Sequence, residues 1–355
     1  MTFVQEPPFS IQLEATEGCN LRCGMCGIRG IRENGPREDL SGPYSHMTIA
    51  TATSIGRQVR ALGWNPRLEF AMHGEPTMNP DLPELCRALR SYNPTAYMMV
   101  TTNAIPMLEG RQPWHGRDIG VALRRLFDAG VNTVLIDDYR PHRVAPTVRE
   151  MAGGLPFPVI DYPANPKHNP HHRYKGQRVV IAEDIQLATS GSHATINNHA
   201  GLGAPPSEKM QGKVCTLPFR DLSIRWDGQV AMCCNDWRGE YRFGDADDLG
   251  AAWNGPEADA ARSLLYHEGR AGMRPCDGCD YRPIRPGLLP DKLGKGTVPP
   301  VTDDVRAIAR RAQAHGTMTG PVLRRWEKQV VNVDFVRRER SEPDLAATGA
   351  VTPTP

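Results

Sequence analysis

The chain has 355 residues, 39% of them hydrophobic and 23% charged, with a formal net charge of +2. That length suits one large domain plus a smaller one, and so balanced a charge names no polyanionic partner by itself. No apolar run approaches a membrane span, and residues 1–8 lack a basic start followed by an apolar stretch, so we expect no membrane anchor, no secretory leader and a cytoplasmic location.

Residues 9–15 alternate apolar and polar side chains as a strand does, and lead directly into Cys19, Cys23 and Cys26. These stand in a C-x3-C-x2-C spacing, three of the nine cysteines within eight residues. In an intracellular chain such usage points to metal binding rather than disulfides. Three thiolates can hold three corners of an iron–sulfur cube and leave the fourth iron open to an external molecule. The alternative, a zinc knuckle, needs a fourth ligand nearby, and the next histidine is His46.

Residues 48–62 read as a helix and 67–72 as the next strand, which ends in Met72-His73-Gly74-Glu75-Pro76. Leu82, Leu85 and Leu89 share a helical face, and Cys86 in that helix reads as an inert buried thiol. Residues 97–101 are strand-like, with Met98 and Met99 as core filling, and run into Thr101-Thr102-Asn103-Ala104. A helix at 121–129 and strands at 132–136, 158–162 and 178–183 come next. Asp137 and Asp138, ahead of Tyr139 and Arg140, suit either a substrate contact or a solvated loop. Repeated strand–helix units imply a parallel sheet whose ligands gather at the carboxyl ends of the strands. Periodicity alone leaves a partial barrel and a doubly wound sheet both open.

Residues 161–206 are rich in proline, glycine, asparagine and histidine. His168, His171 and His172 fit a loop at the sheet mouth better than a metal site, because Asn169-Pro170 breaks regular structure there. Residues 197–203 mark the passage to a second cysteine-bearing region. Cys215 precedes two short strands, 221–225 and 229–232, joined by Trp226-Asp227-Gly228 as a hairpin turn. The hairpin returns Cys233 toward Cys215, and Cys276 and Cys279 form a later C-x2-C pair. Four cysteines can close every corner of a second cluster, and a tetrahedral zinc site is the alternative. Cys234 could substitute for Cys233, but neighbours on a strand face opposite sides, so one of the two should ligate. Beyond residue 285 a proline-rich linker leads to helices at 305–314 and 322–335. Arg306, Arg310, Arg311, Arg324, Arg325, Lys328, Arg337, Arg338 and Arg340 make this tail basic, either as a solvated face or as a polyanion contact.

The first cysteine motif resembles the signature of the radical S-adenosylmethionine superfamily. The His73-Gly74-Glu75-Pro76 segment resembles that family's G-G-E-P turn, with His73 in place of the first glycine, and Thr102-Asn103-Ala104 resembles its T-N-G turn. The stretch from Cys215 to Cys279 resembles the SPASM and twitch extensions of the same enzymes, and the single-cluster twitch form fits better because no cysteine occurs after Cys279.

The resemblance implies an α/β fold. A partial (β/α)6 TIM-like barrel would occupy residues 8–205 and a twitch/SPASM-like α+β iron–sulfur domain 206–285; residues 286–355, outside the resemblance, read from their own composition as a basic helical extension with a disordered end. The resemblance further implies that Cys19, Cys23 and Cys26 hold a [4Fe–4S] cluster whose open iron takes S-adenosylmethionine, with Gly74, Glu75, Thr102 and Asn103 around that cofactor. Cys215, Cys233, Cys276 and Cys279 would hold a second, auxiliary [4Fe–4S] cluster. An external one-electron reductant of the flavodoxin or ferredoxin type is expected, together with hydrogen abstraction from a small molecule or peptide side chain and a net oxidation or modification of it. Two alternatives stay open: a radical isomerase or base-modifying enzyme acting on nucleotides or DNA, which the tail would suit, and a non-catalytic iron–sulfur or zinc protein.

Overall fold

A computed structural model describes residues 4–21, 23, 26–28, 44–138, 144–162, 173–183, 197–203, 206–282 and 294–314. The chain divides into units Met1–Thr319 and Gly320–Pro355, and the described residues all belong to the first. His168, His171, His172, Tyr139, Arg140, most of the linker and the helix expected at 322–335 lie outside them.

Six strands run parallel: β1 (Ser10–Leu13), β2 (Arg67–Phe70), β3 (Met98–Thr102), β4 (Thr133–Asp138), β5 (Val159–Tyr162) and β6 (Arg178–Glu183). Three more, β7 (Asp221–Ile224), β8 (Gln229–Ala231) and β9 (Arg242–Asp245), complete one nine-stranded sheet of order β9-β8-β7-β1-β2-β3-β4-β6-β5. The main helices are α1 (Ile49–Ala61), α2 (Leu82–Tyr92), α3 (Ile119–Asp128), α4 (Ala145–Met151), α5 (Leu249–Asn254), α6 (Pro256–His267) and α7 (Asp303–Ala314).

Local chemistry accounts for these elements. Thr48 caps α1 by accepting the Thr51 N–H at 3.1 Å. Ala52, Ile55 and Val59 recur at helical spacing on its buried face, which packs on α2, where Leu82, Leu85 and Leu89 are buried. Cys86, Met98 and Met99 are fully buried, as expected of core side chains. Asp118 caps α3 in the same way as Thr48 caps α1.

The strands alternate between the helix layer and the concave face. Ile11, Leu13, Leu68, Phe70, Met98, Val100, Val134, Ile136, Val179 and Ile181 join the helix-side core. The concave face is polar at the strand beginnings. Ser10 donates to Asp221 at 2.6 Å, Tyr97 and Thr133 share a hydrogen bond at 2.5 Å, and Arg178 donates to Thr133 at 3.1 Å. Glu69 is held between Arg67 and Gln12. These buried polar groups satisfy one another and close the floor, so the open end lies at the carboxyl ends of the strands.

Two features depart from a simple succession of strands. β6 lies between β4 and β5, so the final pair is exchanged. The side chains account for this: Val179, Val180 and Ile181 suit an interior strand, whereas half-exposed β5 carries Asp161, which pairs with Arg149 and blunts the edge. The second departure concerns 206–285. Its first strand, β7, pairs in parallel with β1 from Asp221–Ser10 to Ile224–Leu13, so both expected domains share one ladder. The β7–β8 turn is the expected one, with Gly228 at φ +90°.

Candidate active site and auxiliary cysteine pocket

Beyond β1, a short ladder of Thr16–Glu17 with Ser45–His46 braces the start of the first cysteine loop. Cys19, Cys23 and Cys26 are partly buried, with the Cys26 N–H donating to the Cys23 carbonyl at 3.0 Å and the Leu21 N–H to Cys19 Sγ at 3.4 Å. Burial, the largest cause, pushes the Cys26 thiol up to about 11 and Cys19 up as well.

The turn after β2 docks on this loop. Gly74 has φ +78°, and a Cβ there would sit 2.0 Å from the Thr16 carbonyl oxygen, so only glycine fits. The Glu75 N–H donates to the Gly18 carbonyl at 2.8 Å. Glu75 is 2% exposed and accepts four hydrogen bonds: from the Thr77 N–H and hydroxyl, the Thr102 hydroxyl and the Asn103 N–H. Three of these donors converge on Oε1 and one reaches Oε2, which therefore keeps acceptor capacity. Glu75 therefore clamps the turn after β2 to the turn after β3. Asn103 reaches on to the cysteine loop, donating to Asn20 at 3.0 Å and lying 3.7 Å from Cys19 Sγ. Ala104, where the resembling turn has glycine, adopts φ +56°. Gly74, Glu75, Thr102 and Asn103 are thus brought together beside Cys19.

Asp137 and Asp138 do not form a solvated loop, because both lie inside β4. Asp138 is buried and accepts the Ala145 N–H at 2.8 Å, fixing the start of α4. Asp137 alternates to the concave face, and among the described residues its carboxylate makes no side-chain hydrogen bond. Burial, then the nearby charge of Glu75, pushes it up to about 7.

His73 carries a connection that the motif alone did not reveal, although its departure from glycine was the available signal. Its Nδ1 lies 3.0 Å from Glu14 Oε1 and its Nε2 2.9 Å from the Cys234 carbonyl oxygen. Burial alone would push the Glu14 carboxyl up, but His73, Arg225 and the Trp226 N–H hold it below its ordinary value. The His73 ring stacks on Trp237 with centroids 4.1 Å apart, and His199 stacks on the same indole at 5.0 Å. His199 accepts the Gly27 N–H at 2.8 Å. A Cβ on Gly27 would lie 2.8 Å from the Trp237 ring, so glycine beside Cys26 lets the indole close over the loop. Trp237, Ile28 and Leu202 form a small core against Cys19 and Cys26. Burial, then His73, lowers His199 to about 4 and keeps its ring neutral.

Cys215, Cys233, Cys276 and Cys279 are buried and line one pocket. All nine cysteines are free thiols. Burial raises each of the four, and neighbouring thiols add to the effect at Cys233, Cys276 and Cys279, so these sulfurs ionise readily only around a cationic partner. That donor set fits a metal cluster. Among the described residues no three His, Cys, Asp or Glu side chains converge tightly enough for a single ion. Cys234 lies outside the pocket lining. Strand alternation is not the reason, because β8 ends at Ala231 and Cys234 sits in the turn beyond, with its carbonyl directed to His73.

Residues 13–137 match the family model of the radical SAM superfamily, and residues 215–280 match that of SPASM, an iron–sulfur cluster-binding domain. The chain is a radical S-adenosylmethionine enzyme. Its cofactors are therefore S-adenosylmethionine and a [4Fe–4S] cluster, with auxiliary iron–sulfur binding in the second domain, and members of this family generally need an external reductant.

A GTP 3',8-cyclase from Tolumonas auensis is 26% identical over 136 residues, covering 38% of this chain and 34% of the relative. The enzyme thus spans about a third of the length of that curated relative. The crystal structure of BtrN in complex with AdoMet and 2-DOIA aligns with a TM-score of 0.57 at 17% identity, over 78% of this chain and 95% of BtrN. BtrN in an open conformation aligns at 0.50 and 16% identity, over 78% and 94% of the two chains. At such identities the likeness is one of fold. Among the described residues no helix is long and apolar enough to cross a membrane.

Proposed function

We propose that this enzyme abstracts hydrogen from a small molecule or a peptide side chain and brings about its net oxidation. Cys19, Cys23 and Cys26 hold the first cluster, and Gly74, Glu75, Thr102 and Asn103 shape the cofactor subsite beside it. When bound, S-adenosylmethionine supplies a 5′-deoxyadenosyl radical on one-electron reduction by a donor of the flavodoxin or ferredoxin type.

The observation that carries the oxidative reading is the enclosure of Cys215, Cys233, Cys276 and Cys279 in one pocket. Four protein thiolates leave no iron corner for a substrate, so this site serves to receive an electron. Asp137, on the concave face at the end of β4, is the residue to bind a hydrogen-bond donor on the substrate. Residues 8–205 and 206–285 act as two functional regions built on one sheet.

Anaerobic reconstitution with S-adenosylmethionine and dithionite, followed by mass spectrometry for 5′-deoxyadenosine, tests the radical chemistry. Deuterated candidate substrates then identify the one whose label reaches 5′-deoxyadenosine. Absence of 5′-deoxyadenosine from fully loaded protein would refute the reading.

A second reading, rearrangement of a nucleotide or a base in DNA, draws on the partial likeness to a GTP 3',8-cyclase. Under it the reaction is redox-neutral. DNA binding through the basic residues between 306 and 340 would then weaken steeply with salt, because phosphate contacts release counterions.

A further inference from the structure

Arg270 comes just after α6 and is 1% exposed. Its two terminal nitrogens donate to the carbonyls of Cys279 at 3.1 Å and Tyr281 at 2.9 Å, and its Nε–H has no partner among the described residues. None of these hydrogen bonds goes to a carboxylate. A guanidinium cannot shed its proton, and a buried charge is tolerated only opposite its counterpart.

The counterpart is legible from the surroundings. Arg270 lines the pocket of Cys215, Cys233, Cys276 and Cys279, and among the described residues no other lysine or arginine lines it. Three nearby carboxylates are engaged elsewhere. Asp221 accepts from Ser10, Asp236 from the amides of Glu240 and Tyr241, and Asp280 from the Asn198 N–H.

We propose that Arg270 is the counter-charge of the auxiliary cluster and raises its reduction potential, which fits that site to accept an electron. This rests on the assignment of the four cysteines to that cluster. Four thiolates outweigh the charge of an iron–sulfur core, and uptake of one electron makes the assembly more negative still. A fixed cation at the pocket wall favours the reduced form, and the unpartnered Nε–H is a donor for a cluster or cysteine sulfur.

The test uses the full chain with Cys19, Cys23 and Cys26 replaced by alanine, so that one cluster reports. Iron is counted, and the cluster's one-electron couple is followed by electron paramagnetic resonance during titration with dithionite. The parent should hold about four irons. Arg270→Gln should shift the oxidised-to-reduced ratio at fixed potential at least tenfold toward oxidised, about 59 mV for one electron. Arg270→Lys should shift it less. If Arg270→Gln fails to hold iron, restoration by Arg270→Lys supports the charge role, whereas loss in both variants overturns it in favour of packing. An unchanged couple in iron-loaded Arg270→Gln also overturns it. A parent without iron overturns the underlying cluster assignment instead.

Discussion

Gly74 sets the tolerance of the proposed cofactor subsite at the scale of one residue. Its positive φ and the carbonyl 2.0 Å from any added Cβ mean that Gly74→Ala must move the backbone of residues 16–18. We expect a loss of about 3 kcal/mol and poor retention of the first cluster, measured by urea unfolding and iron content. Wild-type values in both would show that the turn is not docked as described. Asp137 provides a second reporter. Its carboxyl is raised to about 7, so the folded state binds the proton more tightly than the unfolded chain. Stability of the cofactor-free protein should therefore fall as pH rises from the ordinary aspartate value of 3.8 toward about 7, and level off above it. Asp137→Asn should lessen that fall, the remainder belonging to other raised carboxyls such as Asp236, and an identical pH profile in the variant would rule the assignment out.

Among the elements, the segment beyond β8 does most to join the two cysteine sites. Residues 234–237 run from the Cys233 turn to the indole that covers Gly27, with His73 touching both ends. Trp237→Ala should cost about 3–5 kcal/mol, with Trp237→Phe retaining part of the stacking, as read from denaturant midpoints. A midpoint shift below one tenth of that range would show that the arm bears little load. This element was only half legible in the sequence. The cysteines, the Asp-Gly hairpin and the helical faces of α1 and α2 can be read from local spacing and periodicity, which the chain carries within a few turns. The partnership of His73, Trp237, His199 and Gly27 joins residues up to 210 positions apart and has no local pattern. The same holds for Glu75: its type and position suited a cofactor contact, but its four donors are set by how two separate turns meet.

Over the whole molecule, the exchange of β5 and β6 and the pairing of β7 with β1 were likewise invisible to periodicity, since strand order depends on which edges meet in three dimensions. Iron stoichiometry tests the overall division of labour. Reconstituted protein should carry about eight irons, and replacing Cys276 and Cys279 by alanine should lower this to about four. Unchanged iron in that variant would show that these two cysteines are not ligands.

The ladder between β1 and β7 also fixes a spacing. Cys19 lies beyond the carboxyl end of β1, and Cys215 precedes the amino end of its parallel neighbour β7. Cys19 and Cys215 therefore flank opposite ends of one strand pair, whose four paired residues span about 13 Å. Four paired positions, from Asp221–Ser10 to Ile224–Leu13, hold that spacing. Domain closures run on microsecond to millisecond timescales, and a spacing held by one continuous ladder is not set by any of them. Under the proposed oxidation, transfer of an electron to the second cysteine set would therefore need no movement of one end of this strand pair toward the other.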